Sequence, residues 1–133
     1  MEEFTDDDQC FVCSQANPVG LRIDFHEPER GPGAEGEVVF PEHLQGWRHT
    51  VHGGLLATVL DDAMFHAAEA AGIKCVTGEL TVKYRKPAAT GVPYRVSAQV
   101  LESHGRMVRT EGVLSDAAGE VYAQAAGKMV KIP

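Results

Sequence analysis

The sequence lacks any long apolar run and any excess of positive charge. None of its apolar segments approaches the roughly 18 residues that a membrane-spanning helix needs. The formal net charge is −7, which argues against a general nucleic-acid or anionic-membrane binder, since both need a basic surface. The acidic residues 1–9 contain no apolar stretch of the kind found in signal peptides. We therefore expect a cytoplasmic protein that has neither nucleic acid nor membrane as a partner.

Cysteine is scarce as well, with Cys10, Cys13 and Cys75 as the only three. An odd count without a secretion signal argues against a disulfide framework. Cys10 and Cys13 form a CxxC pair, but no second CxxC and no HxxxH supplies the further ligands that a zinc site usually needs. We expect no metal, and two reduced thiols that pack a terminal segment. A zinc or redox module is the weakest alternative.

The 133 residues, 44% of them apolar, suffice for one domain with a real core. We expect a single domain at residues 1–133, of which residues 1–16 form an N-terminal leader. Alternation and turn residues predict strands at 21–26 and 34–40, paired with each other, and a short helical turn at 41–47. One long helix follows at 50–72. Four more strands, joined by short turns that indicate antiparallel hairpins, follow at 75–87, 93–104, 106–116 and 120–132. One helix with a mostly antiparallel sheet predicts an α+β fold, with the helix covering one face of the sheet.

The long helix carries two adjacent aspartates with different surroundings. Thr58, Asp62 and His66 are four residues apart and stack as one polar ridge, so Asp62 can pair with His66. Asp61 has small or apolar neighbours three and four residues away, and a carboxylate there is costly unless it is paired or functional. A raised pKa in such a setting suits a general base or a nucleophile. A capped or solvent-facing aspartate is the alternative.

The helix begins at His52, Gly53 and Gly54, an unusual start. Free N–H groups in the first turn, the macrodipole and the missing Cβ atoms suit a carbonyl oxygen that gains negative charge. Close packing in a tight turn is the alternative explanation. Asp61 lies about 12 Å along the helix from Gly53, so one carbonyl cannot reach both groups of one chain. This spacing predicts a dimer in which Asp61 works with Gly53 of the second chain.

The stretch from His52-Gly53-Gly54-Leu55 through Leu60-Asp61-Asp62, followed by VTGELTVKYRKPA, resembles the hotdog-fold acyl-CoA thioesterases of the phenylacetate-pathway (PaaI-like) type. The likeness extends to the CFVCSQANPVGLRI opening and the GRMVRTEGVLSDAAGEVYAQAAGKMV ending, so it covers nearly the whole chain. It implies a hotdog fold, in which one long central helix is wrapped by a five- to six-stranded antiparallel sheet. It also implies dimers or dimers of dimers that hydrolyse acyl-CoA thioesters at the dimer interface.

The resemblance assigns roles by position. Asp61 would activate water or attack the thioester, and the Gly53 N–H would polarise the thioester carbonyl. His52 would fix the turn or contact the substrate, and Thr77 would help to position the attacking water. No cofactor is implied, because coenzyme A is part of the substrate.

The resemblance also bears on substrate binding. Many relatives carry Asn or Gln six residues before the His of the HGG motif; Gly46 stands there in this chain, and the adjacent Gln45 can take the role. Basic residues are candidates for the CoA phosphates, and apolar ones for the acyl or aryl pocket; outward-facing charges and core packing are the respective alternatives. The substrate-binding candidates are Gly54, Gln45, Trp47, Phe65, Lys83, Arg85, Lys86 and Arg106.

Two other functions stay open at this point. A hotdog dehydratase or hydratase would need a histidine and an acid facing each other across the site, which His52 and Asp61 or Asp62 can supply. A non-catalytic acyl-CoA-binding protein would bind the same ligand without releasing a thiol. The sequence leaves the acyl group undefined.

Overall fold

The computed structural model describes residues 4–133, so the first three residues of the expected leader lie outside the described part. A short 3₁₀ helix at Glu42–Leu44 confirms the turn predicted there. The main elements are β1 (Ala34–Val39), α1 (Gly53–Ala70), β2 (Cys75–Tyr84), β3 (Pro93–His104), β4 (Met107–Ser115) and β5 (Val121–Lys131). The predicted α+β arrangement of one long helix and an antiparallel sheet is confirmed.

The five strands form one sheet in the order β1-β3-β4-β5-β2, and every neighbouring pair is antiparallel. The β3–β4 and β4–β5 hairpins are those that the short turns predict, whereas the hairpin predicted between β2 and β3 is wrong, because these two strands are not neighbours in the sheet. β2 pairs with β5, far along the chain, because the connection through α1 leads to the opposite edge of the sheet from β1. Strands β1 and β2 are therefore the edges.

Helix α1 lies on one face of this sheet and contacts all five strands. Its fully buried side includes Val59, Leu60, Ala63 and Met64, which belong to the same apolar core as Val108. These are members of the apolar arc that a 3.6-residue period predicts for the helix. Within residues 4–133, no helix is both long enough and apolar enough to cross a membrane.

Both ends of α1 differ slightly from the predicted 50–72. The N–H groups of Val51 and His52 donate to Ala88 and Leu44, outside the helix, so helical bonding starts later. At the other end Gly72 has φ +79°, a left-handed conformation that glycine adopts at little cost, and its N–H donates to Glu69.

The predicted strand at 21–26, and its pairing with 34–40, is wrong. Arg22 has φ +56°, which breaks an extended run. The N–H groups of Leu21 and Ile23 donate to Phe11 and Val12, so this segment pairs with the leader, and only an isolated bridge joins His26 to Glu35. Strand β1 pairs with β3 instead.

Candidate active site

Asp61 lies on the side of α1 that faces the start of β2. The Thr77 hydroxyl donates a hydrogen bond to Asp61 Oδ1 at 2.5 Å. The β2–β5 register shifts between Thr77 and Glu79, a bulge of the kind that re-aims side chains beside functional sites. Asp61 is half-buried; burial raises the pKa of its carboxyl, the Thr77 hydrogen bond opposes this, and the Asp62 charge adds to the rise. The net effect is a raised pKa, which suits proton transfer.

The Asp61 carboxylate opens onto a cavity of about 730 Å³. Helix α1 contributes Phe65, one of the predicted pocket residues, and β2 contributes Cys75. Five residues of the leader between Phe4 and Cys13 also line the cavity. This volume lies within the range of small-molecule sites, and an aromatic wall suits an apolar acyl group.

Asp62 turns away from Asp61 towards His66, and the predicted pairing is confirmed. The two atoms Asp62 Oδ2 and His66 Nε2 are 3.5 Å apart. They lack hydrogen-bond geometry, so each is buried without a hydrogen-bond partner within residues 4–133. Burial lowers the pKa of His66, but the contact with Asp62 and the charges of Glu69 and Asp6 outweigh it and leave that pKa raised.

The glycine turn forms a second candidate feature at the other end of α1. His52 Nδ1 accepts from the Gly54 N–H at 3.0 Å, so His52 caps the helix and Gly54's donor is engaged. The Gly53 N–H makes no hydrogen bond in the part of the chain that the structure describes. The Tyr84 hydroxyl donates to the Gly53 carbonyl at 2.8 Å. Gly53 is thus the residue of this turn that keeps a donor for a ligand.

The two features do not meet within one chain. Gly53 lines a shallow cavity with Gly46, Trp47 and His52, and that cavity shares no lining residue with the one at Asp61. This separation agrees with the distance expected from the helical rise.

The other residues near the glycine turn have distinct surroundings. Gln45 Oε1 accepts from the His49 N–H at 3.0 Å and so holds the loop in which His49 has φ +60°. Trp47 is 86% exposed and does not belong to the core of this chain.

The basic candidates for phosphate binding lie at two separate places on the sheet. Lys83, Arg85 and Lys86 lie at or just after the end of β2, where Arg85 Nε donates to Gln124 and Lys86 pairs with Glu120 at 3.0 Å. Arg106 lies in the β3–β4 turn, and its carbonyl accepts from the Lys131 N–H at the far end of β5. About seven residues of strand separate the two places, roughly 20 Å, so one chain does not gather all four around one ligand.

Two features of the site region escape the sequence patterns. The Tyr84 side chain contacts Gly53, but the alternating pattern of β2 shows only which face of the sheet Tyr84 lies on and does not reveal this contact. The thiols of Cys10 and Cys13 lie beside Asp62; the CxxC spacing was a visible signal, whereas the carboxylate comes from an element far along the chain.

The fold and the Asp61 and Gly53 geometry can be set beside known proteins. The family model of the thioesterase superfamily matches residues 49–123, which is more than half of the chain and includes Gly53, Asp61 and Thr77. The chain belongs to the thioesterase superfamily. Among curated proteins, none matches closely enough to count as a relative.

Comparison with solved structures identifies the type of fold. The chain superposes on protein RHA08564, a thioesterase superfamily protein, with a TM-score of 0.84 and 24% identity over 90% of this chain, but over only 61% of that one. It superposes on PaaI of E. coli, from the phenylacetic acid degradation operon, with a TM-score of 0.76 and 21% identity, covering 85% and 81% of the two chains. It superposes on BH2602 of Bacillus halodurans, which was solved with CoA, with a TM-score of 0.67 and 28% identity, covering 74% of this chain and 66% of that one. The expected likeness to PaaI-like hotdog thioesterases is confirmed.

Proposed function

We propose that the protein hydrolyses an acyl-CoA thioester to a free acid and CoA. The observation that carries the proposal is the half-buried Asp61 carboxylate, held by Thr77 on the wall of a ligand-sized cavity. Its raised pKa favours proton acceptance from water. Asp61 accepts a proton from a water molecule, and that water adds to the thioester carbonyl. The thiolate of CoA then leaves and takes up the proton. In an alternative form of this step, the Asp61 carboxylate itself attacks the carbonyl and water hydrolyses the resulting anhydride.

The proposed oxyanion donor is the Gly53 N–H of a second copy. It stands at the N-terminus of an 18-residue helix and has no partner within residues 4–133. Such a donor, preorganised and aided by the helix dipole, stabilises a developing oxyanion. The exposed Trp47 and Tyr84 near this turn suit cover by another protein surface. A homodimer would bring each Gly53 to the partner's Asp61 cavity.

CoA is the proposed carrier of the acyl group. BH2602, the relative described above, was solved with CoA, and Lys83 and Arg85 offer cationic groups at the end of β2. Lys86 is less suited, because Glu120 already neutralises it. A dehydratase is less well supported, since His52 is engaged as a helix cap.

Thiol release from a panel of acyl-CoA and aryl-CoA substrates tests this function. The Asp61→Asn variant should lose about 10²- to 10⁴-fold in kcat, the usual contribution of a positioned acid or base. Asp24→Asn removes an exposed carboxylate elsewhere and should keep wild-type rates. Saturable binding of acyl-CoA with no thiol release from any substrate would instead identify a binding protein.

A further inference from the structure

The leader brings two cysteines to a carboxylate of the central helix. One sulfur each of Cys10 and Cys13 and one carboxylate oxygen of Asp62 all lie within 4.8 Å of one another. Thiolate, carboxylate and imidazole are the ligands of protein-bound zinc, and CxxC places two of them on one tight turn. Because the two cysteines come from the leader and Asp62 from α1, their approach depends on the fold and is more specific than the CxxC spacing alone.

The turn that carries the thiols is well supported by the backbone. The Ser14 N–H donates to the Cys10 carbonyl at 3.0 Å, and the Ser14 hydroxyl donates to the Asp8 carbonyl at 2.7 Å. The Leu21 and Ile23 N–H groups donate to Phe11 and Val12, between the two cysteines, and Val12 is buried. Both thiols are thereby held against α1. Cys10 is also exposed, which gives an ion a path of entry.

A second observation at the same place concerns buried polar atoms. Asp62 Oδ2 and His66 Nε2 are both buried with no hydrogen-bond partner within residues 4–133. The two atoms face each other at 3.5 Å as an ion pair but outside hydrogen-bond geometry, which is uncommon for buried polar atoms. A cation that takes the carboxylate as a ligand supplies an explanation.

Zinc binds the thiolate form of cysteine, so its binding at Cys10 and Cys13 releases two thiol protons to solvent.

We propose that Cys10, Cys13 and Asp62 bind a Zn²⁺ ion, with His66 Nε2 as the fourth ligand. Zn–S bonds near 2.3 Å and Zn–N or Zn–O bonds near 2.0–2.2 Å place tetrahedral ligand atoms roughly 3.3–3.8 Å apart. The ligand atoms of Cys10, Cys13 and Asp62, all within 4.8 Å of one another, allow this with small side-chain movements. His66 Nε2 is 3.5 Å from Asp62 but lies outside that group, so it joins as the fourth ligand through a further movement of the His66 ring. The proposal departs from the expectation that the two thiols only pack a terminal segment.

The zinc ion would be structural. It would tie the leader to α1 one residue from Asp61, and the leader forms a wall of the Asp61 cavity. Four protein ligands leave no open position for water, which distinguishes this site from a catalytic zinc. The ion therefore shapes the cavity without entering the reaction.

Metal content and Co²⁺ spectra of the purified, reduced full-length protein test the site. Wild type should contain about one zinc per chain, and the apoprotein with Co²⁺ should show thiolate charge-transfer and tetrahedral ligand-field absorption. Cys13→Ser should bind Co²⁺ at least tenfold more weakly, and its charge-transfer absorption per bound Co²⁺ should fall to about half, because one of two thiolates remains. Asp62→Asn should lose Co²⁺ affinity but keep the charge-transfer absorption of the bound ion. Cys75→Ala, which removes the third cysteine, should bind as wild type. A chelator should lower the Tm of wild type but not of Cys13→Ser.

Several results would overturn the zinc site. One is a reduced wild type that takes up neither Zn²⁺ nor Co²⁺ under conditions where its fold is intact. Another is a Cys13→Ser variant that gives the wild-type Co²⁺ spectrum. A Cys10–Cys13 disulfide that re-forms in air, in a protein whose reduced form ignores both ions, would identify a redox pair instead. None of these readouts depends on thioester hydrolysis.

Discussion

At the scale of single residues, the adjacent Asp61 and Asp62 face different chemistry. Neighbouring side chains on a helix diverge by about 100°. Asp61 thus meets the Thr77 hydroxyl and the cavity, whereas Asp62 meets His66 and the leader thiols. One helical turn therefore presents one carboxylate to the cavity and the other to the leader.

In the proposed mechanism, the Thr77 hydroxyl positions the Asp61 carboxylate through the hydrogen bond between them. Thr77→Val removes the hydrogen bond that orients the carboxylate, and we expect kcat for acyl-CoA hydrolysis to fall about tenfold, in line with a hydrogen bond to a charged group. Thr77→Ser keeps the hydroxyl and should restore most of the rate. Thr81→Val, an exposed position on the same strand, is the matched control. Equal rates for the Val and Ser variants would show that the hydroxyl has no such role.

The Gly53 N–H can be removed while the helix is kept. Gly53 is the first helical residue, where proline is tolerated, and His52 before it has φ −58° and ψ 130°, a conformation that proline favours in its predecessor. Gly53→Pro should lower kcat about 10²- to 10³-fold with circular dichroism unchanged. Gly53→Ala retains the N–H, and its Cβ would meet Tyr84 at an ordinary 3.5 Å. Near-normal turnover by the proline variant would rule out this donor.

At the scale of elements, small residues let α1 lie close to the sheet. A Cβ added at Gly127 on β5 would come within 2.6 Å of Thr110 Oγ1 and 3.2 Å of Met64 Sδ. Thr110 is buried and its hydroxyl donates to the Gly127 carbonyl, so it has little freedom to move. This contact couples β4, β5 and the helix that carries Asp61.

Gly127→Ala should therefore destabilise the protein by about 1–3 kcal/mol through overpacking. Urea unfolding measures the change, and Gly53→Ala, whose Cβ has room, is the matched control. If Gly127→Ala is as stable as wild type, the close approach of helix and sheet is not a constraint on this position.

The sequence predicts the elements well where each is defined by its own pattern. Strands β2 to β5 begin and end within three residues of the predicted limits, because alternation and turn residues mark them locally. The segment 21–26 also alternates, yet its partner is the leader, a choice that depends on tertiary hydrogen bonds. The same contrast holds for the candidate site. Residue spacing along the helix is enough to single out Asp61 and Gly53, whereas the contacts of Tyr84 with Gly53 and of Cys13 with Asp62 appear only in the folded chain.

At the scale of the whole molecule, the proposed site is divided between chains. In one chain the donor at Gly53 and the acid at Asp61 line different cavities. The Trp47 side chain beside the glycine turn is 86% exposed, an unusual position for a large apolar group unless another surface covers it. A symmetric dimer would form two equivalent sites, each with one group from either copy.

Subunit complementation tests this arrangement most directly. Gly53→Pro and Asp61→Asn chains, each inactive alone, are refolded together in equal amounts, and acyl-CoA hydrolysis is measured. If the site combines Gly53 of one chain with Asp61 of the other, half of the dimers are hybrids with one sound site of two, which gives about a quarter of wild-type activity. If both groups act within one chain, no chain in the mixture has both, and activity stays at the level of the separate variants, which would contradict the shared site.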